Sequence, residues 1–368
     1  MINTFRAKNY GCLKDVTVGL TPLHAFIGPN DSGKSTILRG IRTVVQFAGG
    51  KFTPSGGLLH PFDPQLDTRR SSGNGPSTET IVACGIGTEW YGIVQITDSK
   101  TTEVLGSSSS GVGEAPATAA GRAWSEKSAL LSAKTADPAI HALRNELRGV
   151  RLLRLDPDSL REPSPLIPEN EPLDFFSERG FGLPSVYQAV LGRGDEASDT
   201  IRSAIRKLFP MIRRIGVKSS SDNRFALEGE LQNGNTIRAS AMSEGLLYFL
   251  AFLVLQYLEP VSILLIEEPE NGLHPARIQQ VLQTMREFVD QSGTQVIMAT
   301  HSPLVINELN PEEVSVVTRP SLEEGTKVTP IKDTPNFEKR SSVYALGELW
   351  LAYADGNVEA PLFAAGAR

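Results

Sequence analysis

Cysteine is scarce in this chain, where Cys12 and Cys84 are the only two among 368 residues. Two cysteines are too few for a disulfide framework and fit a reducing compartment. Long apolar runs are missing too, because the longest one, 246–258, is shorter than the roughly 20 residues that a membrane-spanning helix needs. The residues after Met1 lack the apolar stretch of a signal peptide. We therefore expect a cytoplasmic protein without a membrane span.

The chain also lacks an excess of basic charge, because 36 Lys and Arg residues stand against 42 Asp and Glu residues, a net charge of −6. No global positive field draws such a protein to nucleic acid, so any contact with DNA must come from a local patch. Apolar residues make up 40% and charged residues 21% of the chain, as in ordinary globular proteins. The length suffices for one large domain or two ordinary ones.

The stretch GPNDSGKST follows a predicted strand, LHAFIG, and precedes a predicted helix, STILRGIRTVVQFA. Strand, GxxxxGK[ST] and helix in this order are typical of a loop that binds the phosphates of a nucleoside triphosphate. Glycines at both ends of the loop let backbone N–H groups converge on phosphate oxygens. Lys34 supplies charge to the β- and γ-phosphates, and Ser35 supplies a hydroxyl to Mg²⁺. The predicted ATP-binding residues of this loop are Gly28, Pro29, Asn30, Asp31, Ser32, Gly33, Lys34, Ser35 and Thr36.

Two later predicted strands end in polar residues. SILLIEEPENGLHP places Glu267 and Glu268 at a strand end, and TQVIMATHS places His301 at another. One carboxylate beside the phosphate loop can hold Mg²⁺ and its neighbour can polarise water. Adjacent strand residues point to opposite faces, so we expect the pair to divide these roles. An imidazole suits a sensor of the γ-phosphate. Each feature alone also fits a solvated strand end or a structural histidine; the upstream phosphate loop favours the functional interpretation.

The stretch AMSEGLLYFLAF predicts a helix that begins at Ser243. Ser243 is placed to cap this helix. A Ser-X-Gly turn at a helix start offers a hydroxyl, free N–H groups and the positive end of the helix dipole. On its own the turn is only a good helix start. It gains meaning because it precedes the acidic strand.

The order of these motifs resembles that of ABC-class ATPases: Walker A at 28–36, signature MSEG at 242–245, Walker B LLIEEPENGLHP, and switch ATHS. EEPENGLHP, ATHSP and the opening INTFRAKNYGCLKDVTV resemble the branch of RecF-like and OLD-like (overcoming lysogenisation defect) ATPases. The resemblance covers residues 1–50 and 212–318. It implies an α/β P-loop NTPase fold, with an ABC-ATPase-like core (a mostly parallel sheet plus an antiparallel β subdomain) and a large, mainly helical insertion.

The resemblance also implies a role for each motif residue. Glu267 takes the place of the Walker B aspartate and holds Mg²⁺ together with Ser35, while Glu268 is the catalytic glutamate. His301 is the switch histidine. The signature residues that contact the ATP of the opposite protomer are Ser243, Glu244 and Gly245. The implied enzyme hydrolyses ATP as a homodimer that closes head-to-tail on two ATP molecules.

Two features depart from the ABC pattern. Asn271 lies in the D-loop, where His274 replaces the aspartate common in transporter subunits. The Q-loop has two candidates, Gln95 after a plausible strand and LLRLDPD at 152–158, and the sequence does not choose between them.

The sequence predicts four parts. Residues 1–100 and 212–318 form the two halves of the ATPase core, 101–211 a flexible loop (106–121) and a mainly helical insertion, and 319–368 a strand and a short helix. Within them we expect a hairpin at 79–98 and three short strands between 212 and 239.

Two other functions compete with a soluble ATPase switch in DNA maintenance or anti-phage defence. A transporter's nucleotide-binding subunit is disfavoured by SEG in place of LSGGQ, by the acidic loop PENGLHP and by the large insertion. OLD-like proteins carry a Toprim nuclease after the ATPase, but the residues after His301 are too few for one. We therefore expect any nuclease or other effector to be a separate protein encoded nearby.

A local basic stretch, IRSAIRKLFPMIRRIGVK at 201–218, carries no acidic residue. Arg202 and Arg206 lie one helical turn apart and could follow the phosphates of duplex DNA. A solvated helix face, with its apolar side on the core, explains the pattern equally well. Four arginines upstream add to the basic zone, namely Arg144, Arg148, Arg151 and Arg154.

Overall fold

The computed structural model describes residues 1–48, 79–87, 89–96, 102–107, 122–123, 145–147, 149–219, 222–334, 337–341 and 345–354. The chain divides into two compact units. The first unit comprises Met1–Arg151, Val261–Ile266 and Gly293–Arg368, and the second comprises Leu152–Pro260 and Glu267–Ser292. Most of the loop expected at 106–121, and the first part of the predicted helical insertion, lie outside the described residues.

The described strands, in chain order, are β1 (Thr4–Tyr10), β2 (Leu13–Gly19), β3 (Leu23–Ile27), β4 (Glu79–Ile86), β5 (Glu89–Ile96), β6 (Thr102–Ser107), β7 (Arg122–Ala123), β8 (Val150–Leu153), β9 (Ser164–Pro165), β10 (Ile212–Ser219), β11 (Arg224–Leu231), β12 (Thr236–Arg238), β13 (Ile263–Glu267), β14 (Gln295–Thr300), β15 (Val314–Thr318) and β16 (Lys327–Pro330). The described α-helices are α1 (Lys34–Ala48), α2 (Pro157–Arg161), α3 (Leu183–Leu191), α4 (Asp195–Leu208), α5 (Glu244–Leu253), α6 (Pro275–Ser292), α7 (Pro303–Asn307), α8 (Phe337–Ser341) and α9 (Leu346–Ala354). In this part of the chain no helix is long and apolar enough to cross a membrane.

One sheet is antiparallel and has the strand order β2-β1-β4-β5-β6-β7. The predicted hairpin is confirmed, since β4 and β5 pair antiparallel from Glu79 opposite Ile96 to Ile86 opposite Glu89. From Asp15 to Gly19, strand β2 alternates exposed and buried residues, as expected when one sheet face meets the core.

The other six-stranded sheet is mixed, with the order β16-β15-β3-β14-β13-β8. Strand β3 runs parallel to β14 and β15, and β16 is antiparallel to β15. All five residues of β3 and all six of β14 are buried. Such continuous burial is typical of strands covered on both faces. Helix α1 contacts strands of both six-stranded sheets, so it supplies one of these covers.

A smaller antiparallel sheet in the second unit has the order β10-β11-β12, with β9 paired to β11. The three strands predicted between 212 and 239 are therefore confirmed. Helices α3 and α4 contact this sheet. Helices occupy most of 183–208, whereas the preceding 162–182 is largely irregular. The prolines of REPSPLIPENEP account for the irregular part, because proline removes a backbone donor and clashes inside a helix.

Candidate nucleotide-binding site

The GPNDSGKST loop lies between a buried strand and a helix, as its sequence predicts. Strand β3 ends at Ile27 and α1 begins at Lys34. Asp31 and Gly33 both adopt positive φ angles, 62° and 110°, which bend the backbone into the loop. The Nζ of Lys34 donates to the carbonyl oxygens of Gly28 and Pro29, each at 2.7 Å. The lysine charge is thus placed inside the loop, among the backbone groups expected to surround the phosphates.

The two loop glycines lie where a side chain cannot fit. A Cβ added at Gly28 would lie 2.2 Å from the carbonyl oxygen of Val317, and one at Gly33 would lie 2.4 Å from Oγ1 of Thr326. Thr326 Oγ1 also donates to the carbonyl oxygen of Ser32 at 2.8 Å. Val317 and Thr326, which come well after His301 in the sequence, therefore pack against the phosphate loop. Sequence reasoning missed Val317 and Thr326, because neither belongs to a motif and only sheet pairing brings them to the loop.

The loop fits a bound triphosphate. The Oγ atom of Ser32 is buried and has no hydrogen-bond partner among the described residues. A buried hydroxyl without a partner is costly, and a phosphate oxygen would satisfy it. The N-terminus of α1 follows directly, and its free N–H groups and dipole favour an anion.

His301 lies at the same sheet edge as the phosphate loop. Strands β14 and β3 are parallel, and Thr300 pairs with Ile27 in their register. Gly28 and His301 therefore follow the carboxyl ends of neighbouring strands. His301 is exposed, and the backbone after it turns at once into α7, where Ser302 N–H donates to Oγ1 of Thr300 at 2.9 Å. The predicted role of His301 as a sensor of the γ-phosphate requires a position at this sheet edge.

The acidic pair differs from its prediction in one respect. Glu267 is the last residue of β13, but Glu268 lies outside the strand with a φ of 50°. The two carboxylates are thus separated by a left-handed bend rather than by strand alternation. Asn271 Nδ2 donates to Glu268 Oε2 at 2.6 Å, and Asn271 N–H donates to the Glu268 carbonyl oxygen at 3.1 Å. These bonds stabilise a conformation that non-glycine residues rarely adopt.

The signature begins a helix, as predicted. Ser243 is the N-cap of α5, and its Oγ accepts from Leu246 N–H at 3.4 Å. Every residue from Leu246 to Leu253 is buried, so the second unit fixes this helix firmly. Glu244 is exposed at its first turn.

An open pocket of about 560 Å³ brings the signature and the D-loop together. Ser243, Gly245, Gly272 and His274 line it. Two cationic residues line the same pocket, Lys207 and Arg277. Arg277 is held in place because its guanidinium lies 3.8 Å from the ring centroid of Phe209 and its Nη1 donates to the Leu208 carbonyl oxygen at 2.6 Å. Ser243, the first turn of α5 and positive charge therefore line one pocket, a combination that favours an anion.

The two candidates for the Q-loop lie in different surroundings. Gln95 lies within β5 of the antiparallel sheet, opposite Thr80. The segment 152–158 follows the start of β8, which neighbours β13, and its Arg154 pairs with Glu267 at 2.8 Å. The sequence named LLRLDPD as a candidate, but nothing in it marks the ion pair between Arg154 and Glu267.

Two family models match the chain. One, described as "AAA ATPase domain", matches residues 1–72, and the other, described as "AAA domain, putative AbiEii toxin, Type IV TA system", matches residues 134–307. A curated protein, the OLD nuclease of Thermus scotoductus, is 47% identical over 45 residues, which are 12% of this chain and 8% of that protein. Both models describe ATPase domains, so the chain carries an AAA-type ATPase domain, and its similarity to the OLD nuclease is confined to that short stretch.

Solved structures agree on the fold of this ATPase. An SMC head bound to the C-terminal winged-helix domain of ScpA matches with a TM-score of 0.58 at 16% identity, covering 89% of this chain and 97% of the other. A Pyrococcus furiosus SMC head bound to the C-terminal domain of ScpA matches with a TM-score of 0.54 at 15% identity, covering 89% and 95%. At such identities the likeness concerns the fold alone, which is a P-loop NTPase core with parallel and antiparallel sheets.

Proposed function

We propose that this ATPase is a Mg²⁺-dependent switch that works as a head-to-tail homodimer closed on two ATP molecules. Bound ATP supplies a γ-phosphoryl group whose transfer to water releases ADP and phosphate. The residues from Gly28 to Thr36 hold the triphosphate. Ser35 and Glu267 hold the magnesium ion. Glu268 orients the attacking water and takes its proton, and His301 donates to the γ-phosphate.

The signature pocket is the observation that carries the dimer. It offers Ser243, the N-terminus of α5 and the cations Lys207 and Arg277, all in the second unit. The phosphate loop belongs to the first unit. The phosphate loop binds the triphosphate of one copy. A second pocket that favours an anion is what a nucleotide site shared between two copies requires.

We place this switch in the cytoplasm, in DNA maintenance or anti-phage defence, with a separately encoded effector protein. Three matches support the proposal: the short match to an OLD nuclease, the family description that names an AbiEii toxin, and the SMC heads bound to ScpA. We also propose the division of the chain into four parts. Residues 1–100 and 212–318 form the ATPase core, 101–211 the insertion, and 319–368 the C-terminal strand and helix.

Duplex DNA as a partner rests on the basic stretch 201–218. Arg206, Lys207 and Lys218 are exposed and have no ion pair with another described residue. The other three cations are partly neutralised, Arg202 by Asp199 at 3.1 Å and Arg213 and Arg214 by Glu230.

The upstream arginines add less to this surface than the sequence indicates. Arg151 is buried within β8, and Arg154 pairs with Glu267. Arg144 and Arg148 lie outside the described residues.

Mixed dimers test the proposed function. Ser243→Arg removes the signature contact of one copy and Lys34→Ala removes the phosphate contact of the other, so neither variant hydrolyses ATP alone. Their heterodimer keeps one complete shared site, and we expect a mixture of the two to recover part of the ATPase rate.

The matched control is the double variant Ser243→Arg/Lys34→Ala mixed with wild type, whose heterodimers contain no complete site. Co-purification of two differently tagged copies reports dimer formation. Wild-type homodimers in the second mixture remain active, so the ATPase rate is measured on heterodimers purified through both tags. Activity of the first heterodimer and none of the second supports a shared site. If mixed dimers form and the first mixture stays inactive, action between protomers is wrong.

A further inference from the structure

Arg154 pairs directly with the carboxylate proposed to hold magnesium. Its Nη2 donates to Oε1 of Glu267 at 2.8 Å. The Glu267 side chain is 16% exposed and that of Arg154 is 43% exposed. A carboxylate so shielded from water needs a cation in contact with it, and Arg154 supplies that charge.

The chain around Arg154 is fixed by its backbone. The Arg154 N–H donates to the Glu178 carbonyl oxygen at 2.8 Å, and the Asp156 N–H donates to that of Arg179 at 3.1 Å. The carbonyl oxygen of Leu155, between them, accepts from the hydroxyl of Tyr248 at 3.0 Å. The backbone on both sides of Leu155 is therefore held by Glu178 and Arg179, and Leu155 itself contacts Tyr248.

Tyr248 connects this segment to the signature. It lies on α5, the helix that Ser243 caps. Burial, with the nearby carboxylates of Asp156, Glu244 and Glu268, raises the pKa of Tyr248 to about 12, so its hydroxyl stays protonated and can donate. Its ring packs on Gly272 of the D-loop, where an added Cβ would lie 2.4 Å from the ring.

An exposed ion pair in the same region, between Arg161 and Asp158, serves as a comparison for the pair of Arg154 and Glu267. Arg161 Nη1 donates to Asp158 Oδ1 at 2.7 Å, across one turn of α2, and the Asp158 side chain is 86% exposed. Exposed pairs of this kind contribute little and leave the carboxylate free for water. Arg154 differs because its partner is shielded and because the neighbouring residue holds the signature helix.

We propose that Arg154 is a positioning residue that occupies Glu267 before the metal arrives and competes with the divalent cation for that carboxylate. The inference rests on the proposed role of Glu267 as a metal-binding residue. A cation that reaches Glu267 must displace the guanidinium or share the carboxylate with it. Either change acts on residues 154–156, and through Leu155 and Tyr248 it reaches the signature helix. Metal loading in one site is thereby coupled to the surface that meets the other protomer.

The coupling is tested by measuring how much metal the nucleotide site needs. In the hydrolysis-deficient Glu268→Gln parent, binding of a fluorescent ATP analogue is followed against free Mn²⁺. Arg154→Gln removes the competing charge, and we expect the half-saturating Mn²⁺ concentration to fall about fivefold. Arg154→Lys keeps the charge and should remain near the parent. Arg161→Gln is the matched control and should not change the Mn²⁺ requirement.

Electron paramagnetic resonance of free Mn²⁺ reports metal binding independently of nucleotide fluorescence, and thermal unfolding in EDTA reports folding. If Arg154→Gln does not fold, Arg154→Met, which keeps the aliphatic stem, makes the same test. An unchanged or increased Mn²⁺ requirement in the neutral variant, with a metal-dependent parent, overturns the inference alone. A parent that binds nucleotide with no dependence on Mn²⁺ overturns the proposed metal site and the inference with it.

Discussion

Asn271 Nδ2 donates to Glu268 Oε2 at 2.6 Å, so the proposed catalytic carboxylate is oriented by a residue three positions later in the same loop. The loop holds Glu268 in a left-handed conformation, with a φ of 50°. Asn271 thus contacts both the carboxylate and the backbone carbonyl of Glu268. A group that must align a water molecule benefits from such restraint, because small errors of position cost much of the rate.

Glu268→Gln should keep the contact with Asn271 but abolish proton transfer from the attacking water. The amide oxygen of glutamine can still accept from Asn271, but it cannot take a proton from water. We expect ATP turnover to fall on the order of 100-fold or more while ATP binding persists. Lys34→Ala is the contrasting variant, because it removes the charge among the phosphates and should abolish binding. Single-turnover hydrolysis and equilibrium nucleotide binding separate the two; a Glu268→Gln protein with wild-type turnover contradicts the assignment.

Gly28→Ala should damage the phosphate loop through sterics alone. The added methyl would lie 2.2 Å from the Val317 carbonyl oxygen and 2.8 Å from Ser32 Oγ, so backbone must move. Such overpacking costs about 1–3 kcal/mol, and the moved loop should bind ATP more weakly. Gly19→Ala is the control, since the nearest atom there is 4.0 Å away. Urea unfolding measures the loss of stability, and nucleotide titration measures the loss of ATP affinity. Equal stability and equal affinity of the two variants would contradict the close packing around Gly28.

Much of this fold was predictable because its signals are local. Buried strands such as β3 and β14 are continuous apolar runs, and the cap at Ser243 needs only its own turn. The bend at Glu268 was not predictable, since a positive φ at a glutamate depends on Asn271 holding it.

Contacts between residues far apart in the sequence were not predictable for the same reason. Thr326 braces Ser32 and Arg154 pairs with Glu267, and no periodicity in the sequence marks either contact. Basic residues were easy to find, but whether each is exposed, buried like Arg151 or paired like Arg213 is decided by packing. Motifs therefore identify the chemistry, whereas the contacts that orient it need the structure.

His24 should make stability depend on pH. It is buried in β3, its Nδ1 lies 3.1 Å from Thr21 Oγ1 and its Nε2 lies 3.1 Å from Ser315 Oγ. Burial lowers the pKa of His24 from 6.5 to about 4, and the charge of Glu313 opposes this shift. The unfolded chain therefore binds a proton at a higher pH than the folded chain does. The resulting stability is complete above pH 6.5 and is lost as pH falls towards 4.

The size of this loss is about 3 kcal/mol, from 1.36 kcal/mol per pKa unit. His24→Gln keeps a hydrogen-bonding side chain but cannot titrate, so its stability should fall less between pH 6.5 and pH 4. Urea unfolding at several pH values measures the difference. Parallel curves for the two proteins would contradict the assignment to His24.

The basic stretch gives a prediction in which removing one acid strengthens binding. Arg213 Nη1 donates to Glu230 Oε1 at 2.8 Å, and Arg214 Nε donates to Glu230 Oε2 at 2.5 Å. Hydrogen bonds and charges from Arg214 and Arg213 hold the pKa of Glu230 below its usual value, so this carboxylate is ionised and competes with phosphate. Glu230→Gln should therefore raise affinity for duplex DNA by freeing both guanidinium groups.

Replacing Arg202, Arg206, Arg213 and Arg214 by Gln should do the reverse. Each arginine that contacts a phosphate adds about 0.9 to the slope of log affinity against log salt, so the fourfold variant should flatten that slope. The parent for both comparisons is Glu268→Gln with ATP, because closure would bring two such surfaces together. ATP hydrolysis without DNA, measured on otherwise wild-type protein, should not change, since none of these residues belongs to the proposed catalytic site. If the closed parent binds no DNA even at low salt, the stretch is a solvated face and the partner of this unit is a protein.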